Sequence, residues 1–446
     1  MSSSIATTRR RRRNAELGLG FLAVVVTIGG YILLALANGP SLPPDLGALG
    51  AAVVGLYVVA HLAVRRLAPG ADGTLLPLAA LLNGIGFVTI ARLDRDLARI
   101  QSIWSAVGVG AFVLTLLLIR HVRTLERYTY TFALVALGLL LVPLVPHVGL
   151  TVNGARIWAH FGPLHFQPGE AAKVLWVAFF AGYLTQKREL LSEGSRSVGR
   201  LRLPAARHLG PLAAVWGVSI LVLVFERDLG SSLLFFAVFA AMIYMATERS
   251  AYLIGSLALF SAGATAAYHL FGHVRDRVQG WLNPWPFRHD ARGYQIILSW
   301  YAFAAGGGFG KGIGLGIPDR IPYASTDFIF AAIGEELGLI GALAVIICFL
   351  LIVGSGFRIA VEASRPFSKL FAAGLTTILG LQTFIIVGGV TRLIPLTGIT
   401  LPFVSYGGSS LVANFVILAL LLRMSDENAR EDGRIPDARA REEVRA

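Results

Sequence analysis

Apolar runs of about twenty residues, separated by short polar segments, follow one another along most of this 446-residue chain. A helix needs roughly 20 apolar residues to cross the hydrocarbon core of a bilayer. A transmembrane β-barrel would instead show segments of about ten residues with alternating polarity. The pattern therefore predicts an all-α, polytopic integral membrane protein with about 12 transmembrane helices. The predicted spans are residues 17–37, 47–64, 74–91, 101–119, 128–146, 169–186, 211–225, 230–247, 251–271, 328–354, 370–391 and 405–422.

Basic residues are spread unevenly over the segments that connect these spans. An even number of spans places both termini on one side, and Lys and Arg are enriched in cytoplasmic loops. With both termini in the cytoplasm, the basic segments 65–66, 120–127, 187–207 and 358–369 and the C-terminal tail are all cytoplasmic. The net charge of +13 therefore indicates a membrane topology rather than a nucleic-acid site.

The N-terminus and the single cysteine bear on processing and redox chemistry. Arg9–Arg13 precede an apolar run that is long for a signal peptide, and more spans follow, so we predict a retained first helix; a cleaved signal is the alternative. Cys348, in the apolar run AVIICFLL, is the only cysteine in the sequence. A single cysteine excludes a disulfide framework and a cysteine-based metal site.

Residues 272–327 form the longest polar segment between two predicted spans. The segment is rich in aromatic residues, unlike a solvated disordered linker, so we expect a large, ordered extracytoplasmic loop that carries function. Its glycine-rich part, GGGFGKGIGLG, is not a phosphate-binding Walker A loop, because Ala305 and Gly312 stand where that motif needs Gly and Ser or Thr. Lys311 is a candidate phosphate contact, and a solvated lysine is the simpler interpretation.

Asp276 and Asp290 lie in this loop among several Arg and His residues. An acid held among cations has a lowered pKa and stays ionised, so either carboxylate could act as a general base or hold a divalent cation. A surface ion-pair cluster is the alternative.

The segment NGARIWAHFGPLHFQPGEAAK, residues 153–173, leads from the outer face into a helix. Pro168 suits the first turn, and Glu170 and Lys173 fall on one face of that helix. Ionisable residues at membrane depth are functional candidates, and a structural ion pair is the alternative. Arg156 beside Trp158 would suit an anionic head group or an interfacial anchor.

Two further segments place acids at predicted span ends. In ERDLGSS, residues 226–232, Asp228 either caps a helix or contacts substrate. In STDFIFAAIGEELG, Ser325 or Thr326 can cap a helix with Asp327 in its first turn. Glu335 and Glu336 follow about 12 to 14 Å further in, where at least one carboxylate needs a partner or a wet cavity.

The segment LTGITLPFVSYGGSS, residues 396–410, contains a proline and paired glycines. These allow a bent or broken helix whose freed backbone groups line a cavity. Close helix packing through small residues is the competing explanation.

Taken in order, these motifs resemble the SEDS family of shape, elongation, division and sporulation proteins. The matching strings are NGARIW, FQPGEAAK, DLGSS, GWLNPW, GYQ, GKGIGLG, STDFIFAAIGEELGLIG and PLTGITLPFVSYGGSS, within residues 75–422. The resemblance implies a ten-span core in the bacterial cytoplasmic membrane that polymerises lipid II on the outer face. It also implies a class B penicillin-binding protein as partner. The two extra N-terminal spans and the ERDLGSS variant favour the RodA-like branch.

On this basis the chain divides into four parts. These are a basic cytoplasmic N-terminus (1–16), two extra spans (17–73), the membrane core with its extracytoplasmic loop (74–424), and a charged cytoplasmic tail (425–446).

The family reaction is an inverting glycosyl transfer, in which a sugar hydroxyl attacks an anomeric carbon and a lipid pyrophosphate leaves. The resemblance assigns the catalytic base to an Asp that follows W-x-(D/N)-P and precedes GYQ. Here Asp290 is the only acid between Trp281 and Tyr294, although its spacing departs from the family pattern. Asp276, Asp319 and Asp327 are the substitutes.

The predicted substrate-binding residues are Arg156, Trp158, Gln167, Glu170, Lys173, Asp228, Arg277, Lys311, Thr326, Asp327, Glu335, Ser405, Gly407, Gly408 and Ser409. Among these, Arg277 matches a family arginine and is the predicted pyrophosphate contact. No cofactor is required by the sequence; a divalent cation such as Mg²⁺ at the pyrophosphate is chemically reasonable, but no ligand set stands out.

Two other functions compete with polymerisation. A lipid-linked precursor flippase would concentrate its essential polar residues at mid-membrane, whereas a polymerase would concentrate them on the outer face. A scaffold that only recruits the penicillin-binding partner would tolerate substitutions on that face. Most polar motifs fall outside, which favours the polymerase.

Overall fold

The computed structural model describes residues 2–39, 46–152, 154–161, 164–192, 196–198, 201–203, 206–290 and 292–432. Its helices are α1 (Ser2–Asn38), α2 (Leu46–Leu67), α3 (Leu75–Leu93), α4 (Arg95–Leu118), α5 (Thr129–Leu141), α6 (Pro168–Ser192), α7 (Ala206–Phe225), α8 (Leu229–Thr247), α9 (Ser250–Leu270), α10 (Gly272–Leu282), α11 (Tyr294–Gly306), α12 (Ile329–Glu362), α13 (Pro366–Val390) and α14 (Gly408–Glu431). Short 3-10 turns cover Val122–Tyr128, Val142–Leu144, Trp285–Phe287 and Pro318–Arg320. The helical membrane fold is confirmed, and each predicted span falls on a helix.

Ten helical stretches of the described residues are long and apolar enough to cross a membrane. The two predicted spans outside this set lie on α6, which carries Glu170 and Lys173, and on α7, whose apolar part is the short stretch Trp216–Phe225. The count of twelve spans therefore stays a prediction, as do the four-part division and the sidedness.

The centre of the bundle is built by α6, α12, α13 and α14. In α6, Trp176 stacks on Phe180 and meets Phe179 edge-on, and all three rings are fully buried. By contrast, α9 has no buried residue and packs mainly beside α8 and α10, with one hydrogen bond from Tyr252 Oη to Leu191 O on α6. The apolar sides of α9 are thus available to lipid.

Two small antiparallel sheets depart from the all-α expectation. The larger has the order β1 (Gly149–Val152), β2 (Ala155–Phe161), β3 (Leu164–Phe166), and the smaller pairs β4 (Arg196–Val198) with β5 (Leu201–Leu203). In the larger sheet Leu150 is opposite Trp158 and Ala159 is opposite Phe166. Strands this short leave little trace in a hydropathy pattern, which explains why the sequence predicted only an external segment.

The segment 272–327 is not a single loop, because it contains α10 and α11. The 11-residue α10 is too polar, and the 13-residue α11 too short, to register as spans. Gly307, with φ 54°, ends α11, and the glycine-rich stretch that follows folds back onto α12.

The fold-back meets α12 where that helix is broken at Gly338, which has φ 66° and ψ −168°. Lys311 N donates to Glu335 O at 3.0 Å, and Leu339 N donates to Gly307 O at 2.9 Å. A Cβ on Gly338 would lie 2.2 Å from Gly310 N, so the close approach requires glycine. The glycines therefore serve backbone pairing with α12.

The two added helices pack on the core separately, α1 mainly against α3 and α2 mainly against α4. Near its N-terminal end, α1 is tied to α2 by Glu16, whose carboxylate lies 2.8 Å from both His61 Nδ1 and Arg65 Nη2. At its other end, α1 reaches the glycine-rich stretch, where a Cβ on Gly314 would be 2.8 Å from Ala37 Cβ.

Candidate functional site

The segment between α13 and α14 forms the centre of the site. Ser405 Oγ donates to Thr326 O at 2.6 Å and accepts from Leu401 N at 2.9 Å, while Tyr406 N donates to Ser325 O at 2.8 Å. These bonds hold residues 401–406, the central turn, against the residues that precede α12. Asp327 is thereby placed beside the segment 396–400.

Arg277 on α10 reaches the same place from the opposite side. Its Nη1 donates to Leu396 O at 3.0 Å. A Cβ on Gly398 would lie 3.6 Å from Asp327 Oδ2 and 3.8 Å from both terminal nitrogens of Arg277. Gly398, with φ 79°, thus leaves a space that the carboxylate and the guanidinium share.

The charges in this space are strongly affected by burial. Burial raises the pKa of Asp327 to about 6, an effect that the nearby Arg277 opposes. Burial also lowers the pKa of Arg277, and the carboxylates of Asp327 and Asp228 oppose that shift. The described residues contain no ion pair within 4.0 Å between Arg277 and a carboxylate, so the guanidinium faces both acids without binding either.

Asp228 approaches from the start of α8. Its Oδ1 accepts from Ser231 N at 2.9 Å, so the predicted helix cap is present. Burial raises the pKa of Asp228, hydrogen bonds from Ser231 oppose this, and the charge of Glu170 adds to it. Asp228 can therefore cap α8 and lie beside Arg277 at the same time. We call Asp228, Arg277 and Asp327, with Gly398 between them, the arginine cleft.

Glu170 and Lys173 form an ion pair of 2.5 Å on α6. Lys173 Nζ also donates to Gln382 Oε1 at 3.0 Å, and Gln382 Nε2 donates to Thr400 O at 2.8 Å. The structural ion pair between Glu170 and Lys173, which the sequence offered as the alternative to a functional role, is thus present. Through Gln382 it supports the segment that carries Gly398.

The small residues around the start of α14 pack tightly. Gln167 N donates to Ser409 Oγ at 3.0 Å. A Cβ on Gly408 would lie 2.2 Å from Trp104, and one on Gly407 would lie 3.0 Å from Thr400. Close packing through small residues, the competing explanation, is what the structure shows here.

The larger sheet connects the site to the corner between α7 and α8. Arg156 N donates to Glu226 O at 2.9 Å, and Arg156 Nη2 donates to Val145 O at 3.3 Å. Trp158 lies on the same strand and is half-buried. Burial, with the charge of Asp228, raises the pKa of Glu226 to about 8. Asn153, the first residue of the predicted segment, lies outside the described residues.

Asp290 belongs to a different group. Arg292 donates to its carboxylate through Nε at 2.9 Å and Nη2 at 2.5 Å, and Arg292 also lies 3.4 Å from Asp276. These hydrogen bonds lower the pKa of Asp290, which is exposed. The predicted surface ion-pair cluster is therefore present. Since Asp276 and Arg277 are adjacent on α10, that helix separates this group from the arginine cleft.

Lys311 and Glu335 form a third group, the glycine-loop cluster, with Arg92 and Glu336. Lys311 Nζ lies 3.0 Å from Glu335 Oε1, which also accepts from Ile317 N at 3.1 Å. Arg92 Nε lies 3.0 Å from Glu336 Oε1, and Arg92 Nη2 donates to Gly316 O. The buried carboxylates of Glu335 and Glu336 thus both have the partners that their depth requires. Asp319 also lies 3.7 Å from Arg92.

Some expectations change at the start of α12. The helix cap there is Phe328, without a side-chain cap bond, so neither Ser325 nor Thr326 caps the helix; Thr326 Oγ1 donates instead to Tyr323 O at 3.3 Å. Sequence reasoning missed Gln382 and Gly398. A lone glutamine in the apolar run of α13 was the available signal for the first.

No described group of three or more His, Cys, Asp or Glu side chains could hold a metal ion. A divalent cation therefore gains no ligand set from the described residues, and no chemical step is routed through one below.

Residues 78–430 match the family of cell cycle proteins represented by FtsW, RodA and SpoVE. The chain belongs to this family. The match covers the predicted ten-span core and begins after the two added helices.

Relatives and solved structures agree with this assignment. The chain is 45% identical over 425 residues to the peptidoglycan glycosyltransferase RodA of Mycobacterium tuberculosis, covering 93% of this chain and 90% of that one. It is 34% identical over 327 residues to a probable peptidoglycan glycosyltransferase FtsW of Geobacter metallireducens, covering 73% and 84%. A structure of a peptidoglycan synthase complex that coordinates polymerization and crosslinking contains a chain with TM-score 0.66 and 28% identity, covering 80% and 98%. The crystal structure of the rod shape determining protein RodA of Thermus thermophilus gives TM-score 0.57 and 26% identity, covering 82% and 98%.

Proposed function

We propose that this chain is a peptidoglycan glycosyltransferase that joins lipid II disaccharides into glycan strands at the outer face of the cytoplasmic membrane. The observation that carries the proposal is the arginine cleft, where the partly buried guanidinium of Arg277 faces two carboxylates and, among the described residues, forms no ion pair with either. An anionic leaving group such as a pyrophosphate would supply that ionic partner. The names of the relatives support the same activity.

The reaction is a single displacement with inversion at the anomeric carbon. The hydroxyl oxygen of the acceptor sugar forms a bond to the anomeric carbon, and the bond from that carbon to the pyrophosphate oxygen breaks. The hydroxyl proton passes to a carboxylate, and the polyprenyl pyrophosphate leaves with the bonding electrons. Arg277 stabilises the charge that develops on the leaving oxygen.

Asp290 remains the predicted base, because its carboxylate has a lowered pKa, is partly exposed, and shares Arg292 with Asp276, the residue next to Arg277. Asp327 is its competitor: a carboxyl with a pKa of about 6 is a stronger base at neutral pH than one with a lowered pKa. We assign Asp327 to orienting Arg277. The assignments of Lys311 and Glu335 to substrate remain predictions, although their mutual ion pair supports a structural role.

The experiment uses purified protein, alone and with a class B penicillin-binding protein, and labelled lipid II in the presence of penicillin. Glycan ladders from the wild type and their loss in Asp290→Asn are the expected result. Ladders undiminished in Asp290→Asn but lost in Asp327→Asn would transfer the base role to Asp327. No ladders from the wild type under either condition, with lipid translocation in vesicles, would favour the flippase.

The partner and the sidedness belong to the same proposal. We infer that a class B penicillin-binding protein crosslinks the strands that this chain makes, and the fold similarity to a subunit of a polymerizing and crosslinking complex supports this. The topology with both termini in the cytoplasm places the arginine cleft outside. Cysteine labelling of Asp432→Cys and Gly154→Cys in intact cells tests it: only the second is expected to react with an impermeant reagent.

A further inference from the structure

The two added helices enclose a groove with the core. It lies between α1, α2, α3 and α4 and has a cavity volume of about 70 Å³. We call it the N-terminal groove. Its walls are mainly apolar, with Val24 on α1, Leu56 on α2, Phe87 on α3 and Val109 on α4.

The groove exists because α1 and α2 pack on different helices. Thr27 of α1 packs tightly on Gly84 of α3, while α2 lies against α4, and the two added helices meet mainly around Glu16. Small side chains, among them Ala52 on α2 and Ala80 on α3, line the space that remains. No described side chain fills it.

The position of the groove determines what can occupy it. All four helices are long and apolar enough to span a membrane, so the space lies at the depth of lipid hydrocarbon. Water does not fill an apolar cavity with few polar partners. An unfilled space of this size also forfeits the dispersion contacts of its walls. A hydrocarbon chain restores those contacts.

The length of the groove suits a single acyl chain. Along α2 the lining extends over the 12 residues from Leu49 to Ala60, a rise of roughly 16 Å at 1.5 Å per residue. This is about half of the ~30 Å hydrocarbon core. Leu49 in the first turn of α2 lies at the end of the bundle that carries the central turn, and Leu76 in the first turn of α3 lies toward the opposite end.

One wall of the groove also supports the central turn. Asn83 lines the groove, its Nδ2 donates to Phe403 O at 3.3 Å, and its Oδ1 accepts from Ser105 Oγ at 3.3 Å. An occupant of the groove therefore lies against the residues that hold the turn beside Asp327. It is separated from the arginine cleft by that turn.

We propose that the N-terminal groove binds one acyl chain of a phospholipid and that this lipid joins the added helices to the core. The site is independent of the proposed reaction, because none of its lining residues belongs to the arginine cleft.

Native mass spectrometry of the full chain, released from a mild detergent after purification from membranes, tests the proposal. The wild type is expected to retain one phospholipid. Ala52→Phe, which extends a ring into the groove, should lower that occupancy by about tenfold or more, a change of about 1.4 kcal/mol in binding free energy. Val59→Phe adds the same ring to the exposed side of α2 and should leave the occupancy unchanged.

Ala80→Phe fills the groove from the opposite wall and serves as a second variant if Ala52→Phe fails to fold, which a melting curve in detergent detects. A wild type without retained lipid, equal retention in the filled variants, or retention of a polyprenyl phosphate instead of a phospholipid would each overturn the proposal. Polymerisation measured on the same preparations is a separate readout, since loss of lipid without loss of glycan ladders leaves the reaction intact.

Discussion

The arginine cleft and the glycine-loop cluster both place buried or partly buried carboxylates near cations, and they differ in whether those charges are paired. In the glycine-loop cluster, Glu335 has an ion pair with Lys311 and a backbone donor, and Glu336 has Arg92. In the arginine cleft, Arg277 is bound to a carbonyl oxygen and only faces its acids. A saturated cluster holds a fold together, whereas an unsaturated one retains electrostatic interactions that a ligand can use.

Removal of the cleft cation should give the largest effect. Arg277→Ala is expected to lower the polymerisation rate by about 10²- to 10³-fold, as loss of one charge-stabilising donor does in other enzymes. The melting temperature should change little, because the guanidinium forms no close ion pair with a residue that the structure describes. A large fall in melting temperature, with activity reduced only in proportion to the folded fraction, would show that Arg277 is structural. The arginine cleft would then not differ in role from the glycine-loop cluster.

Glu336→Ala should lower stability and leave activity nearly unchanged, the reverse of Arg277→Ala. It leaves Arg92 largely buried without its carboxylate, at a cost of about 3 kcal/mol in the free energy of unfolding. The measurement is thermal unfolding in detergent. Activity per folded molecule should remain near that of the wild type, and a selective loss of activity would place this cluster in the reaction.

The protonation of Asp327 should make stability depend on pH. Its pKa is about 6 in the folded protein against an ordinary value of 3.8, so the folded state binds the proton more tightly. The resulting stabilisation is complete below pH 3.8 and is lost as the pH rises to about 6, in total about 3 kcal/mol. Melting curves from pH 4 to 7 should show this loss in the wild type and not in Asp327→Asn. Parallel curves for the two proteins would contradict the raised pKa.

The smallest effect is expected at the contact between α1 and the glycine-rich stretch. Gly314→Ala forces a side chain into φ 81° and against Ala37, at a cost of about 1 to 2 kcal/mol in stability. Gly308→Ala, where a Cβ would meet open space, is the matched control. Equal melting temperatures for the two variants would show that the α1 contact contributes nothing.

Sequence patterns predicted the helical membrane fold and the family, because long apolar runs and ordered motifs are local signals. They also identified Asp228, Arg277 and Asp327 individually. They could not show that these residues come together beside Gly398, since the hydrogen bond from Arg277 to Leu396 alone joins segments 119 residues apart. The strands β1 to β3 and the helix α10 were missed because short elements without strong periodicity have weak signals.

The break at Gly338 has a consequence for how the chain is made. A helix interrupted at membrane depth exposes amide groups that lipid cannot satisfy, and here residues 307–312 accept and donate the missing bonds. Those residues precede α12 in the chain, so during synthesis they emerge from the ribosome before the helix that needs them. Because translation runs from the N-terminus, the backbone groups of residues 307–312 are made before the interrupted helix α12 reaches the bilayer.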